Sequence, residues 1–309
     1  MADMETIPYL HKGDRVALAA PARAVSPDEM AAAVAEISSW GLDVVVPEGL
    51  YEREGQLAGS DVHRAMLMQR LLDDDSIRAI ICCRGGYGSV RIVDRLDFTR
   101  FSLKPKWIVG YSDVTVLHSH IHSTLGLPTL HATMPINFGS APTPATESLR
   151  RALFGEKIEY RWDADPSFPV PHPSSVEGVV VGGNLSILYS LLGSRSQVDT
   201  RGKILLIEDL DEYLYHIDRM MQALRRADML SGIKALIVGG LSDMHDNTIP
   251  FGRTAVQIVA EVVAGYDYPV LFGAPFGHIG DGNMALPLGR MARLEMGDAG
   301  NVTLSLKDE

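Results

Sequence analysis

The sequence predicts an α/β protein, with a mostly parallel sheet in the first half and mixed strands and helices in the second. Three observations carry that prediction. Short apolar runs alternate with amphipathic stretches up to about residue 155, the pattern of βαβ units around a buried parallel sheet. A stretch with four prolines, DADPSFPVPHPSS from Asp163 to Ser175, then breaks every periodicity, as a linker or extended crossing segment does. After it, strand and helix signals resume and end in short strand-like pieces. The expected organisation is an N-terminal domain over residues 1–155, a linker over 156–175 and a C-terminal domain over 176–309, since 309 residues suffice for two cores.

Each element follows from its local pattern. RVALAA, Arg15 to Ala20, predicts a first strand stopped by Pro21. A helix is expected from Asp28 to Trp40, a strand from Leu42 to Val46, and a second helix from Ser60 to Asp73. AIICC, Ala79 to Cys83, reads as a buried strand, Val90 to Leu96 as a helix, and Trp107 to Val109 as another strand. Beyond Ser112, the residues Val114, Leu117, Ile121 and Leu125 fall on one helical face. In the second half, the apolar run Gly178 to Val181 precedes a helix from Leu185 to Leu192 and a strand from Lys203 to Ile207. Asp211 to Ala227 predicts a helix with Leu214, Ile217, Met221 and Leu224 aligned. A strand at Ala235 to Val238, a helix at Thr254 to Val263, and strand pieces at Ala292 to Met296 and Asn301 to Leu306 complete the chain.

Composition narrows the functional classes. A net charge of −11 argues against nucleic acid or an anionic membrane as partner, because both attract basic surfaces. The two cysteines, Cys82 and Cys83, are adjacent on a strand and point to opposite faces, so no disulfide framework is expected. The first residues lack the pattern of a signal peptide, and no apolar run is long enough to span a bilayer. A cytoplasmic protein acting on a small ligand is the expectation.

Ligands of open α/β sheets gather at the carboxyl ends of strands, and three such ends carry reactive groups. AIICC runs into Arg84-Gly85-Gly86-Tyr87-Gly88-Ser89, WIV into Gly110-Tyr111-Ser112-Asp113, and KILLI into Glu208-Asp209. The second outlines a nucleophile elbow, a tight strand-to-helix turn exposing a serine, although Thr115 stands where the second glycine usually falls. Ser112 can equally be a helix cap. RGGYGS matches neither nucleotide-binding glycine pattern and suits a tight turn or amide donors for an oxyanion. Glu208 by itself balances a helix dipole.

A serine nucleophile needs a base poised near neutral pH, and ten histidines are available. His118 and His122, four apart, lack the glutamate of a zinc-helix motif, so no metal is expected there. Asp243, His245 and Asp246 read as a polar loop, and His131 as a core histidine. His278 lies in APFGHIGDGNMALPLG, a loop too rich in Gly and Pro for helix or strand, and loops carry function disproportionately. Ser112, Glu208 and His278 thus occur in the order serine, acid, histidine, also seen in α/β-hydrolases.

Together ICCRGGYGSVRIVDRLDF, KPKWIVGYSDVTVLH, VEGVVVGGNLSILYSLLGS, GKILLIEDLDEYLYHIDRMMQAL and APFGHIGDGNMALPLG, with the early Ala20-Pro21, resemble the LD-carboxypeptidase family of serine peptidases, which includes microcin-immunity peptidases. The resemblance implies a flavodoxin-like N-terminal domain, a mixed α/β C-terminal domain, and an active site between them. It implies Ser112 as nucleophile, Glu208 and His278 as acid and base, the Gly86 and Asp113 amides as oxyanion hole, and Asn184 as a substrate-binding residue. It further implies hydrolysis of an L,D peptide bond that releases D-alanine from murein tetrapeptide in peptidoglycan recycling, without cofactor or metal, by a homodimer. The EDLDEYLYHIDRM segment favours the muropeptide enzymes over the immunity branch. A third possibility is a non-catalytic module using the same amides to hold an anion or peptide carboxylate.

Overall fold

Five parallel strands arise from the apolar runs of the first half: β1 (Arg15–Ala19), β2 (Asp43–Val45), β3 (Ile77–Cys82), β4 (Trp107–Gly110) and β5 (Thr129–His131). They lie in the order β2-β1-β3-β4-β5, the flavodoxin-like doubly wound arrangement. The computed structural model describes residues 7–165, 174–297 and 300–307. Helices α1 (Pro27–Ser39), α2 (Asp61–Asp73), the short α3 (Thr99–Leu103), α4 (Thr115–Leu125) and α5 (Pro144–Leu153) cover the sheet. The start of α1 shows why the chain turns helical there. Ser26 accepts from the Glu29 amide, the Glu29 carboxylate accepts from the Ser26 amide, and Pro27 presets the first helical φ.

The second sheet joins strands β6 (Glu159–Asp163), β7 (Ser174–Asn184), β8 (Ile204–Leu210), β9 (Ala235–Ser242), β10 (Val270–Leu271), β12 (Met291–Met296) and β13 (Asn301–Leu306). Its order is β10-β9-β8-β7-β12-β13-β6. The run β7-β8-β9-β10 is parallel and the remainder antiparallel. Helices α6 (Leu185–Ser190), α7 (Leu214–Arg226) and α8 (Ala255–Val263) pack on it. In α7, Ile217, Met220, Met221 and Leu224 are buried, the stripe that the helical period predicts.

Several expectations need correction. Val90 to Leu96 forms two 3₁₀ turns rather than a helix, with Ile92 N–H donating to the Ser89 carbonyl and Arg95 N–H to that of Ile92. The stretch is short and is anchored at Ser89 while burying Ile92 and Val93, which tightens it to i→i+3 bonds. Of the segment 156–175, Glu159–Asp163 is a strand instead of linker. Tyr160 is buried and Trp162 half-buried while Arg161 and Asp163 are exposed, and the strand pairs with β13, a two-residue alternation the proline count obscured. The prolines Pro166, Pro169, Pro171 and Pro173 lie outside the described residues. Strand β11 (Leu286–Leu288), from late in the chain, pairs antiparallel with β5 and closes the edge of the first sheet. Strand β5 and helix α5 have no counterpart in the sequence reading, since three strand residues and a helix framed by polar loops give weak periodicity.

The two sheets meet with their carboxyl ends converging. The Asn184 amide, at the end of β7, donates to Thr115 Oγ1 at 3.1 Å, in the first turn of α4. That contact sets the end of β4 against the ends of β7 and β8.

Candidate active site

Ser112 follows β4 after the extended Tyr111 and opens a 3₁₀ turn, Ser112–Val114, that leads into α4. Its φ is +60°, in the left-handed region, which costs a non-glycine residue roughly 1–2 kcal/mol. No side chain caps the turn, so the serine is here for something other than capping. A sharp, strained turn is what lifts a hydroxyl out of the backbone at the end of a strand. Gly85, from the loop after β3, is its floor. A β-carbon at Gly85 would stand 2.9 Å from Ser112 Cβ, 3.0 Å from its Oγ and 3.4 Å from the Asp113 nitrogen. Any side chain at Gly85 would therefore collide with the serine beside the Asp113 nitrogen.

The Asp113 side chain stitches the two loops together. It is buried and accepts from the Ser89 amide at 2.8 Å. Burial raises its pKa, against the lowering effect of the Ser89 and Gly88 hydrogen bonds and Arg64.

Glu208 lies on β8 and is fully buried. Pairing between β8 and β9 shifts register there, from Ile207 opposite Val238 to Asp209 opposite Leu241, leaving Gly239 and Gly240 as the extra length of a bulge, a feature found beside active sites. His278 Nδ1–H donates to Glu208 Oε2 at 2.6 Å, and the His278 backbone amide to the same oxygen at 3.2 Å. Gly277 makes that approach possible. It has φ +88°, and a β-carbon there would stand 2.4 Å from Glu208 Cγ and 2.5 Å from Oε2. The loop is fastened by Gly277 N–H to Asn283 Oδ1 at 2.8 Å and by Ser242 Oγ–H to the His278 carbonyl at 2.5 Å. Burial pulls the His278 pKa down, but the hydrogen bond and charge of Glu208, with the charge of Asp209, outweigh it and leave the pKa above the usual histidine value.

The two halves of the site meet at Tyr111. Its ring centroid is 4.7 Å from that of His278, and Ser112 is the next residue. Tyr111 escapes a sequence reading, because an aromatic beside a glycine at a strand end reads as core. Gly277, Asn283 and the Gly239-Gly240 pair escape it as well, although two glycines ending an apolar run signal a bulge.

Asn184 is 5 % exposed and its side chain is engaged. Oδ1 accepts from the Ile187 amide at 3.2 Å, capping α6, and Nδ2 donates to Asp209 Oδ1 at 3.0 Å. Asp209 also accepts from the Ser186 and Leu210 amides. Burial and the neighbouring Glu208 charge raise its pKa to about 7.

Among the described residues no other histidine bonds to Glu208. Burial pushes His118 down to about 4, and its Nε2–H donates to the Gly110 carbonyl at 2.8 Å. His131 is fully buried and edge-on to Tyr111, as a core histidine. His122 is likewise depressed to about 4 by burial. His245 pairs with Asp211 at 2.5 Å. Among the described residues no group of three His, Cys, Asp or Glu side chains is placed to hold a metal ion, and no helix is long and apolar enough to cross a membrane. Both cysteines are free and buried, with the Cys82 thiol pushed up to about 12. A surface groove of about 560 Å³ lined by Leu214, Leu241, Met244 and Arg253 contains none of the predicted site residues.

Fold and site together define a two-sheet α/β protein with a serine in a left-handed turn after a strand of one sheet and a buried carboxylate–histidine pair on the other, joined through Tyr111. Comparison with known proteins narrows the class. The LD-carboxypeptidase N-terminal domain matches residues 16–132 and the LD-carboxypeptidase C-terminal domain residues 177–294. A probable murein peptide carboxypeptidase of Bacillus subtilis is 35% identical over 292 residues, spanning 92% of this chain and 90% of the relative. The crystal structure of muramoyltetrapeptide carboxypeptidase from Oxalobacter formigenes superposes with a TM-score of 0.86 at 26% identity, over 95% of this chain and 99% of that one. The microcin C7 self-immunity protein MccF, in complex with aspartyl sulfamoyl adenosine, shares the fold with a TM-score of 0.84 at 23% identity, over 98% of both chains. The chain belongs to the LD-carboxypeptidase family, and its activity is that of a carboxypeptidase.

Proposed function

We propose that this chain is a serine-type LD-carboxypeptidase that removes the terminal D-alanine of murein tetrapeptide, with Ser112 as nucleophile, His278 as base and Glu208 as the acid that orients it. The observation that carries the reading is the 2.6 Å bond from His278 Nδ1 to Glu208, with the imidazole tilted against the ring of Tyr111, the residue preceding Ser112. Binding Nδ1–H to a buried carboxylate holds the tautomer whose Nε2 is free to accept the serine proton. As Ser112 Oγ attacks the peptide carbonyl, His278 takes its proton and the resulting imidazolium is stabilised by Glu208. The oxyanion is met by the amides of Gly86 and Asp113, donors fixed before the reaction begins. His278 then protonates the departing amine, and water, activated by the same base, releases the acyl group.

Asn184 serves indirectly in this reading, by holding Asp209 beside Glu208. The N-terminal domain, 1–155, contributes the nucleophile and the C-terminal domain, 176–309, the acid and base. The names of the relatives described above support a murein peptide as substrate; work as a cytoplasmic homodimer in peptidoglycan recycling completes the proposal. Incubation with L-Ala-γ-D-Glu-diaminopimelyl-D-Ala and mass spectrometry of the products provides the test. Free D-alanine is expected from the wild type. Binding without release would sink the peptidase reading in favour of a binding module.

A further inference from the structure

A carboxypeptidase needs a group that the Ser112, Glu208 and His278 machinery does not supply: one that senses the free α-carboxylate of the leaving residue. Without it, an internal peptide bond would fit as well as a terminal one, and such discrimination comes from polar groups that only the right substrate satisfies. The terminal carboxylate lies one residue step, about 3.5 Å, beyond the scissile carbonyl. Its receptor must therefore stand close to the oxyanion-binding turn.

Arg23 stands there. It follows β1 at the crevice between β1 and β3, where the strand order of the first sheet reverses and ligands of doubly wound folds bind. Its backbone amide reaches the Gly85 carbonyl at 3.5 Å. Its side chain lies across Gly86. A β-carbon at Gly86, whose φ is +101°, would stand 2.5 Å from Arg23 Cδ and 2.6 Å from Nε. The adjoining Gly85 is the residue on which Ser112 rests. The Arg23 side chain thus lies against the residue next to the one that touches the serine.

Arg23 also differs from the other arginines of this corner in having nothing to do. Arg64 is buried, donates to the Pro21 and Gly88 carbonyls and pairs with Asp61. Arg91 pairs with the same aspartate at 2.8 Å, and Arg84 faces Glu29 at 3.6 Å. Arg23 is exposed, and its guanidinium has no hydrogen-bond or ion-pair partner among the described residues. A planar guanidinium is suited to bidentate capture of a carboxylate. We propose that Arg23 is the receptor for the terminal carboxylate of the peptide and the residue that restricts the site to removing a single C-terminal residue. The inference rests on the carboxypeptidase reading above and specifies its substrate recognition.

The experiment measures kcat and KM for the wild type, Arg23→Ala and Arg23→Lys on the tetrapeptide acid and on its C-terminal carboxamide, with labelling of Ser112 by a fluorophosphonate in parallel. The wild type should favour the acid. Arg23→Ala should lose about 10- to 100-fold in kcat/KM on the acid, chiefly through KM, the scale of one charge-assisted hydrogen bond. Its rate on the carboxamide and its labelling rate should match the wild type, and Arg23→Lys should recover part of the loss. Equal losses on acid and carboxamide, unchanged acid hydrolysis, or slowed labelling in Arg23→Ala would each overturn the proposal. So would a wild type indifferent to carboxamide or acid, whatever the variants do. A wild type inactive on the acid defeats the peptidase reading instead, so the two failures are distinguishable.

Discussion

The two corners of the site are built by opposite means. The Ser112 corner, on the first sheet, is a matter of backbone: a left-handed φ and a glycine floor. The Glu208–His278 corner, on the second, is a matter of side chains: a fully buried carboxylate gripping an imidazole across a bulge. The difference shows how the fold divides its work. As the proposed nucleophile Ser112 needs exposure, and a strained turn is suited to provide it. A base needs a fixed tautomer and a raised proton affinity, and a desolvated hydrogen-bonded charge provides both.

The contrast is broken most severely by Ser112→Gly. Glycine adopts φ +60° freely, so the backbone device survives while the hydroxyl goes. Tetrapeptide hydrolysis should fall by at least about 10⁴-fold, yet stability should hold or rise by up to about 1 kcal/mol as the left-handed strain is relieved, read by urea unfolding. A loss of stability would mean that the serine side chain, rather than the turn, holds this corner.

Glu208→Gln attacks the other corner, and its effect should be about 10³- to 10⁴-fold on kcat. Its pH profile sharpens the comparison. The base works only when neutral, so wild-type kcat/KM should decline as pH falls through the His278 pKa, which lies above the ordinary histidine value. Removing the carboxylate leaves burial as the dominant influence, which lowers the imidazolium pKa. The acid limb of the residual activity should then move to lower pH. A limb that stays in place would show that Glu208 does not set the proton affinity of His278.

Gly277→Ala should have the smallest effect of the three, about 10- to 100-fold on kcat. The added methyl meets Glu208 Cγ and Oε2 at about 2.5 Å and must push the carboxylate and imidazole apart. A lowered melting temperature should accompany it, since φ +88° also strains alanine. An unchanged kcat would mean that the pair tolerates displacement and that its close contact is incidental.

Much of this was legible from residue order alone. The apolar runs AIICC, WIV and KILLI stop at Arg84, Gly110 and Glu208; Ser112 lies just beyond β4, whereas Glu208 lies inside β8, which continues to Leu210. His278 stood out because no helix or strand could contain its loop. Less legible was everything that depends on contacts distant in sequence. Asn184 is expected from the resemblance to bind substrate, yet its amide is engaged in capping α6 and holding Asp209. Tyr160 and Trp162 in β6 were hidden by the prolines that follow, because their alternation matters only once β13 arrives beside them.

Local chemistry thus determined the alternation of strands and helices, the turn after β4 and the types of reactive side chain available. Those are properties of a few consecutive residues: backbone preference, apolar period and hydrogen-bonding capacity. Only the tertiary structure decided that Glu208 and His278, seventy positions apart, share one oxygen at 2.6 Å, that Tyr111 joins them to Ser112, and that Arg23 lies over Gly86. The physical reason is that proximity across two sheets comes from how buried faces pack, and packing is a property of the whole chain rather than of any motif in it.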